Sequence, residues 1–160
     1  MEIRHVIEVD IPKWEHLSSE YDRYVKELVS VLTEWYEGND NSPSYKSYML
    51  SKINKKEAFM AVDNSDNCLG IIAFSYKNNN ITFFGISYEA ELKIVGTELL
   101  YYAINLLDKT KSIHINEIAS TTEWIKQHKE LIINIGFTQK GNSLENGVPV
   151  ITFEKHLKIN

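Results

Sequence analysis

The sequence has very little cysteine, very little arginine and no long apolar run. Cys68 is the only cysteine among 160 residues, so no internal disulfide forms, and no Cys/His cluster has the spacing of a metal site. Arg4 and Arg23 are the only arginines, which makes bidentate side-chain clamps on phosphate scarce. An anionic ligand would therefore be held mainly by backbone amides. No stretch reaches ~18 consecutive apolar residues, which argues against a membrane span.

What is present describes a folded acidic protein. Lys and Arg total 17 and Asp and Glu total 22, a formal net charge of −5, which argues against a nucleic-acid-binding module. Hydrophobic residues make up 43% and charged residues 24%, and the length predicts one domain over 1–160. The N-terminus lacks the pattern of a signal peptide, so a cytoplasmic location is expected. The Lys-, Ile- and Asn-rich composition is typical of a bacterial protein.

Local patterns predict elements in the order β-α-α-β-β-β-α-β-α-β-β, a mixed α/β (α+β) domain. The strand patterns cover residues 2–9, 58–62, 68–76, 81–88 and 112–118, a strand that begins at Phe137, and 148–154. The helical patterns cover 18–36, a segment from Ser42 to about Ile53, 97–107, and a segment from 120 to 135. Short turns predict that the second, third and fourth strands form an antiparallel meander. The fourth and fifth strands are expected to be parallel, joined by a helical crossover.

Residues at the ends of these segments support the assignment. Pro12 is expected to end the first strand, and Ser42 followed by Pro43 is typical of a helix start. Residues 120–123 have the pattern of a capping box. Gly136 is placed to end the last helix, and Asn146–Gly147 predicts a hairpin turn.

One connection has a physical property that favours ligand binding. The strand over 81–88 is followed by a tight turn and by a helix predicted to start near Gly96 and Thr97. A helix N-terminus offers unpaired N–H groups and about half a positive charge, which suits a pyrophosphate. Gly96 would let a phosphate approach the backbone closely, and Lys93 adds a cation. The alternative is an ordinary strand-to-helix turn.

The run ISYEAELKIVGTELL, residues 86–100, resembles the acyl-CoA-binding motif of the GNAT superfamily of N-acetyltransferases. In that family the strand is followed by a loop of type R/Q-x-x-G-x-G/A and then by a helix with a Leu-Leu pair. The run LIINIGF, residues 131–137, resembles the family's L-Y-x-x-x-G-F. The strands over 58–62 and 70–74 resemble its hairpin, and the order of elements matches over nearly the whole chain.

Three positions depart from the family pattern. Glu91 stands where the family usually has Arg or Gln, and a negative charge near a pyrophosphate is unfavourable. Ile94 stands where the first glycine of the loop usually is, which leaves Gly96 as the remaining one. Ile132 stands where the family often has a tyrosine that acts as general acid toward the departing thiolate. The backbone N–H donors are unaffected by these changes.

The resemblance implies a GNAT-like acyl-CoA N-acyltransferase fold, with a mixed central sheet of about seven strands and about four helices. The sheet would be splayed between strands 81–88 and 112–118, and the pantetheine arm of acetyl-CoA would pair there with the backbone near Ile86 and Tyr88. An amine would attack the thioester directly in a ternary complex. The pyrophosphate would lie on the amides of Leu92, Lys93, Ile94, Val95, Gly96 and Thr97.

The reaction needs a base near the splay to remove a proton from the amine. Glu117, near the end of its strand, is the first candidate, acting directly or through a water; the alternative is a solvent-facing strand residue. His114, on the other side of the same strand, and Glu89, at the end of the other splayed strand, are weaker candidates. Tyr88 would line the acyl or amine pocket or cover the core. Cys68 is interpreted as structural, because no local charge activates it.

The acceptor would be a small-molecule or peptide amine. The first two helices and the last hairpin would shape its pocket, with candidate residues Glu34, Trp35, Tyr36, Glu37, Tyr45, Tyr48 and 142–146. A second hypothesis is a catalytically inactive domain of the same fold that acts as an acyl-CoA sensor or interaction module. A third is an unrelated α/β domain. A homodimer stays open, because nothing in the pattern marks an interface.

Overall fold

The computed structural model describes residues 1–24, 45–119, 122–145 and 148–156. These residues form a seven-stranded mixed sheet with helices on both faces. Its strands are β1 (Glu2–His5), β2 (Ala58–Val62), β3 (Cys68–Ser75), β4 (Asn80–Ile86), β5 (Ile113–Ile118), β6 (Thr138–Glu145) and β7 (Val148–Lys155). Its helices are α1 (Ile11–Tyr24), α2 (Tyr45–Asn54), α3 (Leu92–Leu106) and α4 (Glu123–Ile135). The predicted fold class is confirmed.

The strands lie in the order β1-β2-β3-β4-β5-β7-β6. All neighbouring pairs are antiparallel except β4 and β5, which are parallel because α3 carries the chain from one to the other. The predicted meander of β2, β3 and β4 and the predicted parallel step are both confirmed.

Alternating side chains give the sheet two packed faces. On the α3/α4 face, the strands bury a cluster that includes Phe59, Phe74, Phe84, Ile86, Ile115 and Phe153 against Leu99, Leu100, Leu131 and Ile132 of the helices. On the α1/α2 face, a second cluster includes Trp14, Leu17, Met49, Met60, Ile71 and Ala73. Burial of both faces holds β3 and β4 in place at the centre of the sheet.

The first strand is shorter than the alternation over 2–9 predicts. The buried carboxylate of Asp10 accepts the N–H of Ile7 at 2.9 Å and binds the Arg4 guanidinium at 2.7 and 2.9 Å. These bonds curl the chain into a 3-10 turn over Glu8–Asp10. β1 has already ended at His5, and Pro12 lies in the first turn of α1, where its missing N–H costs nothing, so the prediction that Pro12 ends the first strand is wrong.

Of the other helix boundaries, one lies earlier in the chain than predicted, one has Thr122 as its N-cap and one lies where predicted. The first helix starts at Ile11, earlier than the predicted 18; its predicted continuation past residue 24 and the Ser42–Pro43 start signal lie outside the described residues. The N-cap of α4 is Thr122, whose carbonyl accepts the Lys126 N–H at 3.0 Å. Ser120 and Thr121, where the predicted capping box begins, lie outside the described residues. Gly136 ends α4 at φ 115°, as predicted.

Candidate functional site

The parallel pair β4–β5 opens soon after it forms. The two strands are paired only at Asn80–His114 and Ile81–Ile115. Beyond those pairs β4 continues beside β3 as far as Ile86, and β5 continues beside β7 as far as Ile118. The ends of β4 and β5 therefore lack each other as ladder partners, which is the splay that the resemblance implied.

The backbone of β4 presents polar groups toward this opening. The Ser87 N–H donates to Leu69 of β3 at 2.9 Å. Because successive residues of a strand direct their N–H and C=O groups to opposite sides, those of Ile86 point away from β3 and toward the splay. The backbone of Ile86 therefore faces the splay, where the resemblance implied that the pantetheine arm would pair with it.

A helix N-terminus follows directly. Residues Ser87 to Ala90 form a turn closed by the Ala90 N–H and the Ser87 carbonyl at 3.0 Å, and α3 begins at Leu92 with Glu91 as N-cap. The predicted start near Gly96 and Thr97 is wrong by about one turn. The Val95 N–H makes the first helical bond, to Glu91 at 3.0 Å. The N–H groups of Leu92, Lys93 and Ile94 therefore have no carbonyl acceptor within the helix itself.

The other predicted phosphate-site residues lie deeper in the helix. Val95 and Gly96 are buried and Thr97 is half-buried, in turns where backbone N–H groups are used by the helix. Lys93 and Ile94 are exposed. Glu89 and Glu91 are also exposed near the same turn, so the local charge around these N–H groups is more negative than a phosphate site favours.

The structure gives the glycine at position 96 a packing role. A Cβ added at Gly96 would collide with Cδ2 of Leu131 and would lie 3.2 Å from Cζ of Phe84. The missing side chain therefore lets α3 approach α4 and β4 closely, and it faces the core rather than an incoming phosphate. No signal in the sequence separates these two uses of glycine.

Replacing Gly96 with leucine is expected to lower the free energy of unfolding by about 1–3 kcal/mol through overpacking. Urea unfolding of the variant checks this, and Leu131→Ala in the same chain should recover part of the loss. Gly141→Leu is the matched control, because a Cβ there meets nothing within 4 Å. Equal midpoints for Gly96→Leu and the parent would contradict the packing role.

An unpredicted carboxylate reaches the end of β4 from α1. Oε2 of Glu20 accepts the N–H of Tyr88 at 2.9 Å, and Oε1 lies 3.5 Å from the Ser87 hydroxyl. The Tyr88 N–H is therefore already hydrogen-bonded, whereas the resemblance implied that the backbone near Tyr88 pairs with the pantetheine arm. Glu20 lies 68 residues from Tyr88 along the chain, so no local pattern could have indicated this contact.

A row of four rings crosses the α3/α4 side of the splay. The exposed Tyr88 ring packs edge-on against Trp124 with centroids 5.3 Å apart, Trp124 lies 5.0 Å from His128, and His128 lies 5.6 Å from Phe84. Nδ1 of His128 lies 2.8 Å from the Trp124 carbonyl, and burial lowers the pKa of His128 to about 4. Trp124 and His128 lie four residues apart on the buried face of α4, and the helical pattern over 120 to 135 does not indicate the row.

Glu117 is the buried carboxyl of the site. It lies on β5 past the last pair with β4, on the same face as Ile113 and Ile115, and is only 5% exposed. Burial raises the pKa of Glu117 to about 8, while the N–H of Ile118 at 3.2 Å and the charge of Lys129 act in the opposite direction. The alternative of a solvent-facing strand residue is wrong.

The weaker candidates lie elsewhere. His114 points to the face opposite Glu117, where Nε2 is 3.4 Å from Oε2 of Glu154. Burial raises the pKa of the Cys68 thiol to about 12, which agrees with a structural rather than a nucleophilic cysteine. Glu89 is exposed in the turn before α3.

Part of the predicted acceptor pocket is described. Tyr45 and Tyr48 of α2 stack with centroids 5.5 Å apart, and the Tyr48 hydroxyl lies 2.6 Å from the Thr82 hydroxyl of β4. Trp14 of α1 packs edge-on against Tyr48 and against Phe83. These rings cover β4 from the α1/α2 face. Residues 34–37 of the predicted set lie outside the described residues.

None of the helices in the described ranges is both long enough and apolar enough to cross a membrane. No family model and no curated protein matches the sequence. Solved structures do match, over nearly the whole chain. A GNAT-family acetyltransferase from Bacillus cereus is 15% identical, with a TM-score of 0.66 over 98% of each chain.

Two further structures have the same architecture. The ribosomal-protein-S18-alanine N-acetyltransferase from Escherichia coli is 13% identical, with a TM-score of 0.65 over 99% of this chain and 95% of that chain. A chain of the NatC complex bound to Gag peptide and CoA is 14% identical, with a TM-score of 0.58 over 99% of this chain and 100% of that chain. This chain therefore has the fold of the GNAT acetyltransferases, at low sequence identity, and the resemblance is confirmed for the fold.

Proposed function

We propose that this chain is an acetyl-CoA-dependent N-acetyltransferase that acts on a small-molecule or peptide amine. The observation that supports this best is the opening between β4 and β5, which leads directly to the N-terminus of α3. The N–H and C=O groups of Ile86 suit an extended amide-bearing arm, and the N–H groups at the helix start suit a pyrophosphate. The NatC neighbour, whose structure contains CoA, supports the same donor.

In this proposal each element of the site has one task. The pantetheine arm pairs with the backbone at Ile86, and the pyrophosphate accepts hydrogen bonds from the N–H groups of Leu92, Lys93 and Ile94. Val95, Gly96 and Thr97 form the next turn, which aligns those donors and contributes the helix dipole. Tyr88 and its neighbouring rings border the arm.

The chemistry is direct transfer. The amine nitrogen attacks the thioester carbon, the C–N bond forms, the C–S bond breaks, and CoA leaves. Glu117 in its ionised form removes the proton of the amine. The protein contributes positioning of the two substrates and polarisation of the carbonyl by a β4 N–H.

Calorimetric titration with acetyl-CoA tests the donor, with ATP as the control for unspecific phosphate binding. The fluorescence of Trp124, isolated in a Trp14→Phe/Trp35→Phe background, reports whether the donor enters the splay. A panel of amines is then screened for CoA release. Specific binding and amine-dependent release are expected; absence of binding at millimolar acetyl-CoA contradicts the proposal.

Leu92→Pro is expected to weaken acetyl-CoA binding about 10- to 150-fold, because it removes one hydrogen bond to a charged group worth about 1.5–3 kcal/mol. Proline is accepted at the first helical position, and Glu91 before it is extended at φ −80° and ψ 100°, as proline requires. Leu92→Ala is the matched control, since it keeps the N–H. Equal dissociation constants for the two variants would remove this N–H from the site.

A second candidate function is an acyl-CoA-binding module without catalysis. Ile132 favours this function, because an apolar and fully buried side chain stands where the GNAT family often has its tyrosine general acid. The acidic Glu91 at the N-cap of α3 favours it as well. Specific binding of acetyl-CoA without CoA release across the amine panel would favour this function over transfer.

A further inference from the structure

The sulfur that leaves acetyl-CoA needs a proton, and the proposed function, on which this inference rests, gives no source for it. Ile132 is fully buried and carries no polar atom. The proton must therefore come from another group on the α3/α4 face of the splay, or the thiolate must leave without one.

The described surroundings of this face contain few titratable groups. The residues that β4 contributes are Phe84 and Ile86, and the cross-strand partner of Glu117 on β7 is Ile151, all apolar. The face of α3 that packs against the sheet is apolar as well. From α4 come His128 and Lys129, and Tyr88 lies at the mouth.

Two of these groups are poorly suited to protonate the sulfur. Because a carbonyl only accepts hydrogen bonds, the short contact with Trp124 places the proton of His128 on Nδ1 and directs it there. Burial keeps that imidazole neutral, with a pKa of about 4. Tyr88 is 57% exposed and follows the end of β4, so its ring lies at the outer end of the row.

Glu117 lies on the face of the sheet that α4 covers. The charge of Lys129 acts on its carboxyl, and Lys129 and Ile132, three residues apart, are neighbours on the surface of one helix. The carboxyl also points to the face that buries Ile132. The carboxyl of Glu117 and the side chain of Ile132 therefore lie on the same face of the sheet.

We infer that Glu117 carries the proton in both halves of the reaction, from the amine nitrogen to the departing sulfur. The carboxylate takes one proton as the C–N bond forms, and the resulting carboxylic acid gives that proton to the sulfur as the C–S bond breaks. The products are the amide and the thiol of CoA, and Glu117 returns to its starting ionised form. No other reactant is needed.

The burial of Glu117 supports this double use. A group that accepts and then donates a proton works best when both of its forms are accessible near the working pH. The raised pKa of Glu117, about 8, meets that requirement, whereas an exposed glutamate near 4.5 would be a weaker base toward the amine.

The test compares wild type and Glu117→Gln with two donors and two acceptors. The donors are acetyl-CoA and an S-acetyl aryl thioester, whose thiolate is stable without a proton. The acceptors are an alkylamine and a weakly basic arylamine; both lose a proton on acylation, but the arylamine nitrogen becomes acidic enough on attack to lose it without a base. With acetyl-CoA and the alkylamine, kcat should fall about 10²- to 10⁴-fold. Changing either the donor to the aryl thioester or the acceptor to the arylamine should reduce the fall in kcat caused by Glu117→Gln at least tenfold. Changing both should reduce it further.

The outcomes separate the possible roles. A deficit that the aryl thioester leaves unchanged would make Glu117 a base only and overturn the inference, as would wild-type activity in Glu117→Gln. Calorimetry with acetyl-CoA shows that the variant is folded and binds the donor, and Glu117→Asp should retain part of the activity. Glu130→Gln, an exposed carboxyl on α4, is the matched control and should behave as wild type. A wild-type protein that binds no acetyl-CoA or releases no CoA overturns the proposed function and this inference together.

Discussion

Replacing Lys52 with methionine is expected to lower the free energy of unfolding by about 3–5 kcal/mol, the usual cost of breaking a buried ion pair. Lys52 is 8% exposed, and its Nζ lies 3.3 Å from Oε1 of Glu57 and donates to the Phe74 carbonyl at 2.6 Å. Oε2 of Glu57 accepts the Tyr76 N–H at 2.6 Å. The substitution therefore leaves a buried carboxylate without its cation beside β2 and β3.

Urea unfolding monitored by far-UV circular dichroism measures this loss. Burial lowers the pKa of Lys52, and the charge of Glu57 and its hydrogen bond with Lys52 act in the opposite direction. The double variant Lys52→Met/Glu57→Gln is the control, because it removes both charges and should be closer to wild type than Lys52→Met alone. Additive losses in the double variant would show that the two side chains do not depend on each other.

Replacing Glu117 with glutamine is expected to stabilise the protein at alkaline pH and to have little effect near pH 5. Below about 4.5, the ordinary pKa, the carboxyl is neutral in both the folded and the unfolded state. Between about 4.5 and 8 the unfolded chain releases the proton that the folded chain keeps, so wild-type stability falls by about 1.4 kcal/mol for each pH unit. Above about 8 both states are ionised and the loss levels off.

Melting temperatures of wild type and Glu117→Gln from pH 5 to pH 9 measure this difference. At about 2–4 °C per kcal/mol for a chain of this size, a gap of several degrees should open by pH 8. Glu130→Gln should show no gap that changes with pH, since its carboxyl is exposed. A constant difference between wild type and Glu117→Gln across this range would mean that Glu117 ionises as an ordinary carboxyl.

Much of the architecture is local in origin and was predictable. Short turns between alternating apolar strands predicted the β2–β3–β4 meander, and a helix between two apolar strands predicted the parallel step from β4 to β5. Gly136 predicted the end of α4, because φ 115° is unfavourable for other residues. The turns of the meander and the end of α4 depend on residues within a few positions of one another.

Two boundary errors arose where hydrogen bonds between residues a few positions apart change a local preference. Pro12 follows a strand pattern, but the bonds of Asp10 with Arg4 and Ile7 turn the chain early and place Pro12 in a helix. The start of α3 was predicted from its glycine, whereas the turn before Glu91 sets it.

The sequence by itself determined the order of elements, the fold class and the segment that holds the candidate site, because hydrophobic periodicity and turn residues act over short distances. Only the tertiary structure decided what the site residues do. Burial raises the pKa of Glu117, Glu20 occupies the N–H of Tyr88, and Gly96 makes room for Leu131 rather than for a ligand. Burial and contact distance depend on segments far apart in the chain that meet only when the sheet and its helices pack.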